Sequence, residues 1–350
     1  MRVGLLHPRS GVAGMWAPSM DAAALVGAAE INAAGGILGE PLELIYADCG
    51  FSVTEALSAV DTLLDVEGVD AVIGGHPSNI RDAVSQRLSS QVPYIYTPQY
   101  EGIACGPATV AIGSSDDELL GPSLHWLRTE KKAERFFFVG NDYIWPRMAL
   151  GTTKRILRQQ GGNLVGQAIV PMQVADYSAL LRSIVQSGAQ VVIQALVGLN
   201  SVEFNRAFAA AGLDEKMLRF GLIVDETVIC GIGTEASTNL FTVASFFADH
   251  HSRYNDHFLE LYHDAFGELA PPVSAASVGC YEGLHVLAGL ANELQTRNSL
   301  SLARHLQRPM SRIAARHRLA DRSNGHGQRP AVYLGKADGV TLQVVATLSH

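Results

Sequence analysis

The sequence has few cysteines, little charge and no long uninterrupted apolar run, and each shortage removes a class of protein. Only Cys49, Cys105, Cys230 and Cys280 occur in 350 residues, far apart and without a C-x-x-C pair. Neither a zinc site nor a thioredoxin-type motif is therefore readable, and buried small apolar thiols are the plainer interpretation. Charged residues make up 17% of the chain and the formal net charge is -8. That is not the composition of a nucleic-acid surface, so direct DNA binding is not expected. No stretch approaches the roughly 18 apolar residues that span a bilayer. There is no Walker loop, G-x-S-x-G elbow, H-E-x-x-H pair or glycine triplet after the first strand. With no catalytic, metal or cofactor motif in view, binding is expected rather than turnover.

Val3 to Leu6 reads as a core strand that begins almost at Met1, leaving no room for a signal-peptide apolar region. This favours a cytoplasmic protein. The alternative is a periplasmic or cell-surface protein whose leader has been removed and replaced by Met1.

Short apolar runs alternate with helix-length segments along most of the chain. Val3 to Leu6, Leu42 to Tyr46, Ala71 to Gly74, Tyr94 to Tyr96 and Ala108 to Ile112 are strand-like. Ala22 to Ala34, Thr54 to Asp65 and Asn79 to Leu88 show apolar residues three and four apart, as crossover helices do. A second series follows, with strands at Phe136 to Val139, Leu164 to Val170, Val191 to Ala195, Leu218 to Ile223 and Leu240 to Ala244. The pattern predicts an α/β fold of two doubly wound parallel-sheet lobes. The expected division is 1–120 with about 247–322, and 121–246 with about 323–350. Ser274 to Asn292 is rich in small and apolar residues, so it reads as a buried helix returning to the first lobe. Two strands, Ala331 to Leu334 and Thr341 to Ala346, end the chain, with Gly339 supplying their turn.

Open α/β sheets bind ligands at the carboxyl ends of their strands, where helix N-termini offer free backbone N–H groups. Five loops there stand out. GNDYIWPR, Gly140 to Arg147, places Tyr143 and Trp145 between a strand and a helix, with Asp142 available as a cap and Pro146 suited to the first turn. GGHPSNI sets Ser78 just ahead of a helix, where its hydroxyl either holds a ligand oxygen or caps the helix. YTPQYEG carries Tyr96 and Tyr100. In the second series, Val197 follows one strand and Asp225-Glu226 another; Glu226 either pairs with a ligand ammonium or complements a helix dipole. His7 and His76 lie near these ends but lack an acid at motif spacing, and read as surface or core histidines. Between Arg304 and Arg329, seven arginines and three histidines face one acid, Asp321. A solvated surface is the first reading of that stretch, and a partner contact the second.

VGLLHPRSG, EINAAGGILGEPLE, YTPQYEG and GNDYIWPR, together with LVGLNSVEFNRAFAAAGL at 196 to 213 and SNGHGQRPAVYLGK at 323 to 336, resemble the type I periplasmic binding-protein family. Within it the chain is similar to urea and short-chain-amide binding proteins and to the cytoplasmic aliphatic-amide sensor that restrains amidase expression. The resemblance implies a Venus-flytrap receptor with three crossovers. It implies a pocket lined by Ser78, Tyr96, Tyr143 and Trp145, and less directly by Tyr100, Val197 and Glu226.

A sensor for a small amide or urea-like ligand, closing on it to control an amidase or nitrile-hydratase operon, is the leading expectation. Its partner would be an antiterminator-type regulatory protein, and the sensor-type relatives imply a homo-oligomer. The alternative is an ABC-transporter solute-binding protein for urea, amides or branched-chain amino acids, with a permease as partner.

Overall fold

The computed structural model describes residues 1–89, 91–106, 108–307 and 331–348. The chain begins with β1 (Arg2–His7), a 3-10 stretch (Gly11–Trp16), α1 (Ala17–Ala33), β2 (Glu43–Asp48), α2 (Val53–Asp61), β3 (Ala71–Gly74), α3 (Ser78–Leu88), β4 (Tyr94–Tyr96) and β5 (Thr109–Ala111). It continues through α4 (Asp116–Glu130), β6 (Arg135–Asn141), α5 (Ile144–Gln160), β7 (Asn163–Val170), α6 (Ser178–Ser187), β8 (Val191–Ala195) and α7 (Leu199–Ala210). Then come β9 (Leu218–Gly221), α8 (Glu226–Ile232), β10 (Leu240–Ala244), α9 (Arg253–Phe266), α10 (Ala275–Leu294), α11 (Ser299–His305), β11 (Val332–Asp338) and β12 (Thr341–Leu348).

Two compact units result, Met1–Gly113 with His251–Pro330, and Ser114–His250 with Ala331–His350. The first holds a parallel sheet in the order β2-β1-β3-β4-β5, the second a sheet in the order β12-β11-β10-β9-β8-β6-β7. In the second, β6 to β10 are parallel while β11 and β12 turn back antiparallel, with Gly339 at the left-handed turn between them. This is the two-lobed α/β architecture the alternation implied. The units divide at 113/114, 250/251 and 330/331, where the sequence had suggested 120/121, 246/247 and 322/323.

Burial explains why these strands are nearly continuous apolar runs. β3 and β8 are covered on both faces, as parallel strands flanked by helices must be. In the first unit Val3, Leu5, Ile73 and Ile95 pack towards α1 and α10, whereas Leu6, Val72, Tyr94 and Tyr96 face the opposite side. Small residues let α1 and α10 approach closely: a β-carbon on Gly27 would stand 3.1 Å from the Tyr281 ring and 3.3 Å from Leu284. α10 lies just as near the sheet, with Gly279 and Gly283 against Thr97. Ser274 to Asn292 thus belongs to the first unit.

Two helices depart from the periodicity. The first begins at Ala17 rather than Ala22, because Pro18 is tolerated in an opening turn. The segment expected as one helix from Thr54 to Asp65 is α helical to Asp61 and then widens into a π turn, Thr62–Val66. Leu63 of that turn is buried against Gly4, whose missing β-carbon leaves the space it fills. A capping box opens α4, with Ser115 capping the helix and Glu118 returning to the Ser115 N–H at 2.8 Å. Of the basic stretch, only Arg304 to Gln307 is described, and the rest of Arg304 to Arg329 lies outside the described residues.

Gly36 has φ +74° in the turn after α1, and a β-carbon there would lie 2.1 Å from the Glu40 carbonyl oxygen. Gly36→Ala is expected to destabilise the protein by about 2 kcal/mol or more, combining left-handed strain with a backbone clash. The melting temperature measured by calorimetry should fall by about 4–8 °C.

Candidate functional site

In the first unit the candidate residues are positioned by a buried aromatic lock behind the β3 loop. The His76 ring is packed against Tyr94 and Tyr96. Its Nδ1–H donates to the Pro77 carbonyl at 3.0 Å, and Nε2 accepts from the Tyr94 hydroxyl at 2.7 Å. Burial pushes the His76 pKa down to about 4, so the ring is neutral and can accept. The Tyr96 hydroxyl donates to the His76 carbonyl at 2.9 Å. Together these bonds fix the backbone that leads through Pro77 into Ser78, the first residue of α3.

Ser78 does not cap its helix. Pro77 holds the cap position, no side-chain cap bond forms, and the Ser78 Oγ is buried without a hydrogen-bond partner among the described residues. The opening N–H groups of α3 have no partner within the helix, so hydroxyl and amides together form an acceptor-seeking site. One turn on, Arg81 pairs with Glu101 at 2.9 Å, with side chains 3% and 1% exposed. Burial opposes the guanidinium charge, but Glu101 outweighs it and raises the Arg81 pKa. The Arg81 cation lies 5.3 Å from the Tyr96 ring centre and 5.7 Å from that of Tyr100. The ion pair therefore ties YTPQYEG to α3. Tyr96 is a core residue, its donor taken by His76, while Tyr100 is half-buried beside Arg81.

The second unit groups the other candidates. Asn141 ends β6 fully buried, accepting the Val197 N–H at 2.8 Å and donating to the Pro171 carbonyl at 3.3 Å. Val197 is thereby left with only its side chain to offer, and it is buried. Tyr143 occupies the cap position of α5 in extended conformation and is half-buried, its ring 6.2 Å from that of Trp145. Trp145 is buried and donates its indole N–H to Asp116 of α4 at 2.9 Å. The expected cap Asp142 does not cap; its carboxylate pairs with Arg147 at 2.6 Å, since Tyr143 takes the cap position instead.

Glu226 begins α8, behind Asp225, whose carboxylate accepts the Val228 N–H at 3.0 Å. Glu226 Oε1 accepts the Ala248 N–H at 2.7 Å, and Oε2 is buried without a partner. Some surface of the residue remains exposed, yet the carboxyl end is not, and that end governs its ionisation. Burial first, and Asp225 second, push the Glu226 pKa up to about 8. Its carboxyl group is therefore largely protonated at pH 7.

One cluster escaped the sequence entirely. His7 is not a surface or satisfied core histidine: its Nε2 meets Asp21 at 3.0 Å, and its Nδ1 is buried without a partner. Arg9 also pairs with Asp21. The partner lies fourteen positions away, across the loop into α1, where motif spacing gives no cue. For Arg81 a cue existed, since it falls three residues after Ser78 on the same helix face. Among the described residues no group of histidine, cysteine, aspartate and glutamate side chains could hold a metal ion.

The sequence profile of a family described as periplasmic binding protein matches residues 1–340. The chain belongs to that family. Among curated relatives, a Leu/Ile/Val-binding protein homolog from Brucella melitensis is 28% identical over 162 residues, 45% of this chain and 41% of the relative. The match thus spans about two fifths of that relative's length. Among solved structures, a solute-binding protein of an ABC transporter from Rhodopseudomonas palustris, in complex with p-hydroxybenzoic acid, has a TM-score of 0.87 at 18% identity. The likeness covers 100% of this chain and 97% of that one. The branched-chain amino-acid binding protein LivJ from Streptococcus pneumoniae, in complex with isoleucine, has a TM-score of 0.83 at 16% identity over 99% of both chains. These likenesses establish the fold. Among the described residues of this periplasmic binding protein, no helix is long and apolar enough to cross a membrane.

The Glu226 pKa, raised above that of an unfolded glutamate, has a defined consequence for stability. The folded state holds a proton that the unfolded state releases, so stability falls as pH rises from about 5 towards 8. Each pH unit in that window costs up to about 1.4 kcal/mol from this group. Glu226→Gln should flatten the corresponding part of the pH profile of urea unfolding. An unchanged slope would show the carboxyl to be ionised in the folded protein.

Proposed function

We propose that this chain is the solute-binding component of an ABC importer, working outside the cytoplasmic membrane and delivering a small organic acid to a membrane permease. The observation that carries the ligand class is the buried, partnerless Ser78 hydroxyl at the start of α3. A hydroxyl and helix-terminal N–H groups suit a carboxylate, which accepts several hydrogen bonds and is favoured by the helix dipole. Three neighbours in structure are described with p-hydroxybenzoate, benzoate or isoleucine bound, and all three ligands are carboxylates. The family description and the transporter neighbours support this reading over the cytoplasmic amide sensor and its regulatory partner.

Glu226 supports a second reading. A protonated carboxyl offers one donor and one acceptor, the complement of a neutral amide, whereas an ionised one would suit an amino-acid ammonium. Thermal-shift measurements with isoleucine, benzoate, 4-hydroxybenzoate, acetamide and urea separate these classes. A solute at about a hundred times its Kd adds roughly 2.7 kcal/mol of stability. Shifts with carboxylates are expected, and Ser78→Ala should weaken them by about tenfold or more while leaving the unliganded melting temperature within a degree or two. Shifts with acetamide or urea alone would return the amide reading.

A further inference from the structure

The His7 cluster lies at the same carboxyl edge of the first sheet as Ser78 but has no part in holding the α3 loop. His7 is the last residue of β1, and the neighbouring chain is fixed against it: the Gly75 N–H donates to Leu6 at 2.9 Å and the Thr97 N–H to Gly74 at 2.9 Å. Three side chains converge on Gly75. A β-carbon there would lie 2.0 Å from the Met20 methyl, and 3.6 Å from both Cys280 Sγ and His7 Cβ. Met20 and Cys280 are soft and uncharged, and burial pushes the Cys280 thiol up to about 12. The His7 imidazole brings to this neighbourhood a buried Nδ1 with no partner among the described residues.

The opposite face of the ring is fully engaged. Asp21 Oδ1 stands 3.0 Å from His7 Nε2 and 3.1 Å from Arg9 Nη1, and Arg9 reaches Oδ2 as well. Burial raises the Asp21 pKa, but the bonds from His7 and Arg9 outweigh it, so Asp21 is held ionised below the usual carboxylate range. An ionised oxygen at that distance requires the ring proton to sit on Nε2. Arg9 Nη1, at 3.4 Å from the same nitrogen, is too far to displace it. With a ring proton held on Nε2 by Asp21, Nδ1 is the nitrogen left to face a ligand, and Asp21 fixes the orientation of the ring, as carboxylates do for metal-binding histidines.

We propose that His7 is a specificity residue of the first unit, its Nδ1 accepting a hydrogen bond from a hydroxyl of the bound solute while Asp21 and Arg9 hold the ring in place. The inference rests on the solute-binding reading and adds the group that tells a hydroxylated acid from its bare counterpart. Discrimination of this kind arises because only the hydroxylated acid pairs an acceptor that is otherwise buried and unpaired.

The test is isothermal calorimetry at pH 8 with the pair 4-hydroxybenzoate and benzoate. The unaltered protein is expected to bind the hydroxylated acid at least about tenfold more tightly. In His7→Gln, whose amide nitrogen can still donate to Asp21 but which lacks an atom at the Nδ1 position, the ratio should fall to about one. Imidazole ¹⁵N spectra of the unaltered protein supply a second readout that needs no variant: the His7 Nδ1 signal should move with 4-hydroxybenzoate and stay with benzoate. A ratio kept in the folded variant, or an Nδ1 signal indifferent to the hydroxyl, overturns the role of His7 alone. Binding of neither acid to the unaltered protein overturns it together with the organic-acid reading.

Discussion

A neutral imidazole sealed in the first unit is the constraint on which the candidate site depends. His76 can bridge the Pro77 carbonyl and the Tyr94 hydroxyl only while it carries one proton, and its burial keeps it so. That bridge, with the bond from Tyr96 to the His76 carbonyl, sets the direction in which the chain enters α3. Ser78 owes its unusual state to this entry angle. Pro77 has the cap position, and the serine one residue on is left with nothing to cap. Local rules would have placed that hydroxyl on a backbone N–H.

Buried charge is handled differently in the two units. Arg81 and Glu101 neutralise each other under the tyrosine rings and fasten a loop to a helix. Glu226 leaves Oε2 without a partner among the described residues, and burial raises its pKa to about 8. The first arrangement is an ion pair in which Glu101 raises the Arg81 pKa, so the guanidinium keeps its charge. The second changes charge close to neutrality, which makes the second unit the more responsive to the charge of whatever approaches it.

The fold was readable because parallel strands buried on both faces leave a plain signature. The runs at Ala71 to Gly74, Tyr94 to Tyr96, Val191 to Ala195 and Leu240 to Ala244 coincide with β3, β4, β8 and β10. Helix ends were less legible, since the π turn after α2 follows from how Leu63 fits Gly4, a contact between distant positions. The same limit applied to the site. Ser78 and Glu226 were recognisable by standing at strand ends next to helix starts. The commitment of Trp145 to Asp116, and of His7 to Asp21, depends on tertiary neighbours that no spacing rule reveals. The resemblance to amide-binding proteins led to the family, whereas the family match does not carry the ligand with it, because a fold is shared more widely than the chemistry of its pocket.

The antiparallel ending of the second sheet carries a consequence for biogenesis. β11 and β12 follow α9, α10 and α11 in the chain, yet β11 pairs with β10, which is made before all three helices, and β12 with β11. A nascent chain emerging from the ribosome therefore presents β10 as an open, apolar edge while an entire piece of the other unit is being synthesised. Closure of that edge must wait for β11, so the second sheet is completed only after the returning helices of the first unit have been made.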